Sequence, residues 1–344
     1  MQRILFFLLV FLPFTTLGQH HLAGKILNQA DKKPVANASV FLSNATAGAK
    51  TNEDGTYEIT GVHSGRYELV VSIIGYETYR QTLMVNRNIA LPDIEIIPKA
   101  IALKEVDIRP DLNRERNYKL FEEEFLGQSD YAKQCKILNS DMLDIHYDEQ
   151  SRQLTASSFD FIEIENKALG YKIKYLLTQF TRDYRNGLLF YEGSALFEEL
   201  PDQKMQRRWQ KARLKVYNGS SMHFLRSVIA NRITEEKFKV FRLVRKLNPD
   251  YNGSGRKYLE TVYKTLLTTS DFVKTTDDKG LFALEFEDCL SITRGDLSTN
   301  IIFEKPYSLF DNNGVFLDPA SVTFEGDWGK NRMAELLPVD YYPQ

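Results

Sequence analysis

Apolar and polar residues alternate with a period of two through most of the first hundred positions, the mark of strands whose successive side chains point to opposite faces. Leu22, Gly24 and Ile26 share one side, as do Ala38, Val40 and Leu42. Tyr57 and Ile59 point away from Thr56, Glu58 and Thr60, and Tyr67, Leu69, Val71 and Ile73 form the clearest inward row. Val70 and Ile74 on the opposite side of that row predict a central strand covered in part on both faces. Asp54-Gly55 is a hairpin signal, because glycine accepts the positive φ such turns need. Short strands at regular spacing, with Gly, Asn and Pro between them, predict a β-sandwich over residues 19–100.

Beyond Pro98 and Pro110 the period lengthens, and residues 101–112 read as a linker. Tyr118, Phe121 and Phe125 are spaced for one helix face, with Glu122, Glu123 and Glu124 on the solvated side and Gly127 as a stop. Ser129 or Asp130 is placed to cap a second helix to about residue 138, with Tyr131, Cys135 and Leu138 on its apolar face. Alternation returns over residues 142–200 and predicts an antiparallel meander. Within it, residues 148–152 form a polar hairpin turn, and Tyr171, Ile173, Tyr175 and Leu177 line one face of a long strand. A helix then carries Met205, Trp209, Ala212 and Val216 on one side and Lys204, Arg207, Arg208, Lys211, Arg213 and Lys215 over the rest. Asn218-Gly219 ends it, and Ser220 or Ser221 caps the next helix, to about residue 231. Strand patterns resume at 238–244, 281–293 and 321–325, with a loop at 248–255 and a turn within 310–316. Trp328 and Leu336-Leu337-Pro338 are placed to pack against this region, so that residues 113–344 read as an α+β domain.

The chain of 344 residues is long enough for two domains at ~150 residues each. A formal net charge of −2 argues against an electrostatic nucleic-acid binder. Arg3, the apolar run over residues 4–14 and Thr16-Leu17-Gly18 have the order of a secretory signal peptide, residues 1–18, cleaved before Gln19. No other apolar run reaches the ~20 residues of a membrane-spanning helix, so no transmembrane segment is expected after cleavage. Cys135 and Cys289 are the only cysteines. Export permits a disulfide, whereas the apolar spacing around Cys135 favours a buried free thiol.

Candidate chemistry is sparse. There is no G-x-S-x-G elbow, Walker loop, dinucleotide fingerprint or H-E-x-x-H string. A catalytic zinc site needs about three protein ligands and an open fourth position. His146 and Glu149 form an H-x-x-E string, and His223 lies downstream as a third ligand, but the string falls on the predicted hairpin turn. The basic helix face suits an anionic lipid, a polysaccharide or an acidic partner. Scattered Lys and Arg opposite an apolar stripe are also ordinary solvated helix surface.

The strings G-K-I-L-N at 24–28, K-P-V-A-N-A-S-V at 33–40, T-N-E-D-G-T-Y at 51–57 and the block from G-R-Y at 65–67 to S-I-I-G-Y at 72–76 resemble the carboxypeptidase regulatory-like domain. That resemblance implies a seven-stranded transthyretin-like β-sandwich. A-L-K-E-V-D-I at 102–108 resembles a strand that often follows this module in outer-membrane receptors, but the remaining chain is too short for a receptor barrel. E-F-L-G at 124–127, E-N-K-A-L-G-Y at 165–171, Y-N-G-S-S-M-H-F-L-R at 217–226 and L-L-P-V-D-Y-Y at 336–342 resemble exported Bacteroidetes proteins that carry a carboxypeptidase-like regulatory domain. The expected fold is mainly β with an α+β C-terminal part: the sandwich, then an antiparallel sheet with several helices. The full-chain resemblance implies little about function. The signal peptide, a module used in adhesion and envelope proteins and the lack of an assembled catalytic set point to a non-catalytic exported binding or scaffolding protein of the cell envelope, periplasmic or outer-membrane associated, with no cofactor and with an envelope protein or glycan as partner. The alternatives are a zinc-dependent hydrolase using His146, Glu149 and His223, and a carbohydrate-binding sandwich presenting Tyr57 or Tyr76 to solvent.

Overall fold

The alternating N-terminal pattern folds into two facing sheets in the computed structural model, which describes residues 19–99, 113–253 and 255–343. The expected signal peptide and the linker at 101–112 lie outside the described residues. The strands are β1 (His20–Asn28), β2 (Ser39–Leu42), β3 (Gly48–Lys50), β4 (Thr56–Val62), β5 (Gly65–Ser72), β6 (Tyr79–Val85), β7 (Ile89–Ala90) and β8 (Ile94–Ile96). One sheet runs β3-β2-β5-β6; in the other, β1 pairs with β4 on one side and with β7 and β8 on the other. Both β7 and β8 run parallel to β1 along the same edge. They occupy one strand position interrupted at Pro92, which has no N–H for a ladder, so the sandwich keeps seven positions.

Leu22, Ile26, Val40, Leu42, Tyr57, Ile59, Tyr67, Leu69 and Val71 are buried between the sheets, as their alternation requires. Tyr57 lies opposite Gly24 across β1 and β4, and its ring fills the space a Cβ on Gly24 would need. Asp54-Gly55 does form a turn, with Gly55 at φ +78 and the Asp54 carboxylate accepting the Thr56 N–H and hydroxyl. The expected hairpin is absent, however, because β3 pairs with β2 while β4 pairs with β1. The turn carries the chain from one sheet to the other. Thr51 holds this crossing from within: its hydroxyl donates to Val35 O (2.7 Å) and accepts the Ala38 N–H (2.9 Å).

The second region opens with α1 (Arg114–Leu126), whose Phe121 and Phe125 are fully buried and stack 4.9 Å apart. Gly127, at φ +94, ends the helix and donates to Glu123 O. The helix expected at 129–138 is replaced by a single 3-10 turn and the edge strand β9 (Cys135–Ile137). There the backbone pairs with β12 instead of with itself, and Leu138 is left 47% exposed. β10 (Leu143–Asp148), β11 (Gln153–Ser158), β12 (Ile162–Asn166), β13 (Tyr171–Asp183) and β14 (Leu188–Glu199) complete a six-stranded antiparallel sheet. One face of β13 and β14 packs its Tyr171, Ile173, Tyr175, Leu177, Ala195 and Phe197 with α1. The other face meets the sandwich. Ser194 accepts from Arg80, Leu196 bridges to Ala45, and Phe161 lies 5.5 Å from Phe41. This contact buries Phe41 and Val70 on the outer side of their sheet, while Ile74 stays 77% exposed.

Helices α2 (Gln206–Tyr217) and α3 (Ser221–Ile229) then lead to a third core, around Phe224, Leu225, Phe238, Phe272, Leu290, Phe310 and Trp328. It is built from β15 (Lys239–Leu247), β16 (Tyr258–Leu266), α4 (Thr269–Phe272), β17 (Val273–Thr275), β18 (Leu281–Glu285), β19 (Cys289–Arg294), β20 (Leu297–Phe303), β21 (Tyr307–Asp311) and β22 (Val322–Gly326). These form a five-stranded sheet, β16-β15-β19-β20-β22, and a three-stranded sheet, β17-β18-β21. The mainly β architecture with helices after the sandwich agrees with the pattern of the sequence.

Candidate functional site

Helix α2 rests on the loop between β12 and β13, the E-N-K-A-L-G-Y string. Asn166 is fully buried and shapes that loop. Its Oδ1 accepts the N–H groups of Ala168 (3.1 Å) and Leu169 (3.0 Å), and its Nδ2 donates to Ala334 O (3.0 Å). Gly170 has φ +75, and a Cβ there would stand 2.1 Å from Cδ2 of Trp209, so only glycine lets the indole lie on the loop. Trp209 Nε1–H donates to Lys167 O (2.9 Å). Arg213 is buried. It donates to Leu169 O (2.8 Å) and Gly170 O (3.2 Å), pairs with Glu199 (2.6 Å) and stacks 3.9 Å above the centre of the Tyr171 ring.

The joint between α2 and α3 anchors the last described segment of the chain. Ser220 caps α3 by accepting the His223 N–H (3.1 Å). Gly219 N–H donates to His223 Nδ1 (3.1 Å), which leaves the ring proton on Nε2 to be donated to Glu236 (3.1 Å). Burial holds the His223 imidazole below the usual histidine range, against the opposing bond to Glu236. Arg226, one turn on, donates to Asn313 O, Tyr341 O and Val339 O at 2.6–2.9 Å and stacks on Tyr342. Residues 337–342 are thereby strapped back towards the sandwich. Val339 N–H donates to Asn44 O (2.7 Å), and the Asp340 carboxylate accepts from the Thr46 N–H (2.9 Å) and hydroxyl (2.5 Å).

Between α2 and this strap lies a cleft of about 560 Å³. Arg207, Gln210 and Lys211 line its helix side, Asp340, Tyr341 and Tyr342 its strap side, with Tyr171, Glu199 and Arg213 also in the lining. Arg207 and Lys211 are exposed and make no ion pair or side-chain hydrogen bond among the described residues. The cleft therefore joins two uncommitted cations to three tyrosine rings and to two carboxylates that are already held, Glu199 by Arg213 and Asp340 by Thr46. Such a lining can pair with an anionic group and stack on a flat ligand face.

The residues singled out in the sequence separate into distinct places. Of the basic row, Arg207, Lys211 and Arg213 reach the cleft, but Arg213 belongs to the buried stripe with Trp209 and Tyr217 and its donors are taken. Lys204, Arg208 and Lys215 are exposed outside the cleft lining, and Arg208 bonds Gln134 (3.4 Å). His146, Glu149 and His223 do not come together, and among the described residues no group of three or more His, Cys, Asp or Glu side chains is placed to hold a metal. His146 is exposed on β10, Glu149 pairs with Arg116 (3.1 Å), and both ring nitrogens of His223 are engaged. Cys135 and Cys289 are free, each half-buried in a different sheet, and burial pushes the Cys135 thiol up to about 12. Tyr57 is buried and Tyr76 half-buried, so Tyr57 offers no platform to a sugar. Sequence reading missed the strap: it placed Leu336-Leu337-Pro338 against the domain and gave Asp340-Tyr341-Tyr342 no role, although the acidic residue between Val339 and the tyrosines was the available signal.

The family model described as the CarboxypepD_reg-like domain matches residues 22–108. That stretch is a CarboxypepD_reg-like domain. No curated protein matches the chain. Among solved structures, a chain of a type II cohesin–X-dockerin complex from Acetivibrio cellulolyticus is 22% identical, over 22% of this chain and 56% of that one, with a TM-score of 0.21. This chain thus spans little more than half of that chain's length. A DUF3823 family protein from Bacteroides ovatus is 13% identical over 54% of this chain and 83% of that one, at a TM-score of 0.20. Another, from Bacteroides uniformis, is 9% identical over 89% and 96%, at a TM-score of 0.18. Among the described residues no helix is long and apolar enough to cross a membrane. The CarboxypepD_reg-like domain contributes Thr46 to the cleft, and every other lining residue comes from later in the chain.

Proposed function

We propose that this is an exported, non-catalytic binding protein of the cell envelope that takes an acidic glycan in the cleft between α2 and the strap. The observation that carries the reading is the pair Arg207 and Lys211, two cations without internal partners, in one cleft with Tyr341 and Tyr342. Burial raises the Tyr341 phenol, so it stays neutral and offers a ring face and a hydroxyl at any physiological pH. Uronate carboxylates suit the cations, and sugar C–H faces suit the rings. The fixed donors around Gly170 and Arg213 keep one wall rigid. The CarboxypepD_reg-like domain acts on this reading as the support against which the strap is tied, through Thr46 and Asn44.

Titration calorimetry with uronic-acid oligosaccharides and their neutral counterparts tests the proposal. Binding of the acidic series alone is expected, weakened by salt and reduced roughly tenfold or more by Arg207→Ala with Lys211→Ala, as loss of two charge-assisted contacts implies. Equal binding of neutral sugars would remove the cations from recognition. No binding of either series would end the reading.

A further inference from the structure

Among the described residues, strand β16 is one of the two edges of the five-stranded sheet, and all nine of its residues are exposed. Free edges of this length template pairing with another chain unless prolines, charges or bulges blunt them. β16 contains no proline, and Leu259, Val262, Tyr263 and Leu266 stand 51%, 37%, 50% and 57% exposed. Its pairing to β15 decides which backbone groups are free. Asn248 N–H donates to Lys257 O at one end, and Leu267 N–H donates to Val240 O at the other, both at 2.9 Å. Groups alternate sides along an antiparallel strand, so Tyr258, Glu260, Val262, Lys264 and Leu266 direct their N–H and C=O away from β15. The register shift between Phe241 and Leu243 adds two residues on β16, an even number, so the same parity faces β15 on either side of it.

We propose that β16 pairs antiparallel with β16 of a second copy of this chain, about a two-fold axis through Val262, joining two five-stranded sheets into one. In that register Glu260 faces the partner's Lys264, Tyr258 faces the partner's Leu266, and Thr261 faces the partner's Tyr263. Each contact is made twice, as a two-fold interface requires. Opposite charges and aromatic–aliphatic pairs are the favourable cross-strand combinations. Among the registers that keep free backbone groups opposed, this one alone sets Glu260 against Lys264. A lysine on an edge strand ordinarily repels an incoming strand; here a carboxylate meets it. Lys264 has no ion-pair partner of its own among the described residues, whereas Glu260 is also held by Arg245. The second copy is thus the occupant whose charge pattern matches the edge.

Sedimentation equilibrium of the full chain over a concentration series tests the pairing. A concentration-dependent dimer is expected. Lys264→Glu sets it against Glu260 and weakens the dimer by about tenfold or more, about 1.4 kcal/mol in dissociation free energy. Glu260→Lys does the same, and the double reversal E260K/K264E restores it. Val262→Lys brings like charges together at the axis and dissociates the dimer without touching the Glu260–Arg245 pair. A chain that stays monomeric up to ~100 µM, where even weak micromolar association registers, overturns the proposal. So does a dimer unmoved by Lys264→Glu and Val262→Lys, or one that the double reversal fails to rescue.

Discussion

Asp311 is the residue whose ionisation works against the fold. It ends β21 and opens the D-N-N-G turn, where burial raises its carboxyl to about 6 despite N–H bonds from Val315 and Asn313 and the nearby charges of Arg226 and Arg66. An unfolded aspartate titrates near 3.9, so between about pH 4 and 6 the folded chain holds a proton that the unfolded chain releases. Stability therefore falls as pH rises through that window, and above it the full penalty applies. The gap of about two units sets an upper bound of roughly 3 kcal/mol. Asp311→Asn keeps an oxygen for both N–H groups and removes the charge. Thermal melts should show the variant more stable than wild type at pH 7.5, with the advantage shrinking towards pH 4.5. A variant that is equally less stable at both values would show that the carboxylate is needed as such.

Among the elements, α2 shows how a buried row can contain a charge. The sequence suggested a stripe of Met205, Trp209, Ala212 and Val216 with a basic remainder; the buried residues are Trp209, Arg213 and Tyr217. Arg213 enters that stripe because the carbonyls of Leu169 and Gly170 end there and require donors. Arg213→Met should therefore cost about 2 kcal/mol, since it leaves the buried Leu169 carbonyl unpaired and removes the partner of Glu199, while Gly170 O keeps the Leu200 N–H. Lys211→Met, on the exposed side, should stay within about 0.5 kcal/mol. Urea midpoints at unchanged slope measure both, and equal costs would contradict the division of the helix. The same distinction explains what was legible. Rows such as Tyr171, Ile173, Tyr175 and Leu177, and the Ser220 cap, depend on local periodicity and local hydrogen bonds. The helix at 129–138 was misread because the spacing of Tyr131, Cys135 and Leu138 mimics a helix face, while the true partner of β9 is the distant strand β12. Asp54-Gly55 announced a turn, but which sheet each flanking strand joins is a tertiary matter. The cleft was half legible for that reason: its cations lie on one helix, and its aromatic wall returns from the far end of the chain.

At the scale of the whole molecule, the CarboxypepD_reg-like domain is tied to the rest by backbone as well as side chains. Asn44, at φ +59, donates its N–H to Ala195 O and accepts the Val339 N–H, while Phe197 N–H donates to Ala45 O. Asn313 Nδ2 donates to Arg66 O (2.7 Å), and the Asp340 carboxylate holds Thr46. Val339 is itself part of the sandwich core. These links should make the parts unfold together. Both tryptophans, Trp209 and Trp328, lie outside the sandwich, so fluorescence reports the later regions and far-UV circular dichroism reports the whole. In wild type the two transitions in urea should coincide, as a single cooperative unit requires. Asp340→Ala combined with Asn313→Ala removes the Thr46 and Arg66 bonds at sites distant in the chain, and the two signals should separate. Coincident transitions in that variant, with an unchanged slope, would place the coupling in the backbone bonds of Asn44 and Ala45 and the sheet-on-sheet contact of Phe41 and Val70. The strap would then shape the cleft without holding the molecule together, and its polar bonds to the sandwich would serve to position Tyr341 and Tyr342 opposite Arg207 and Lys211.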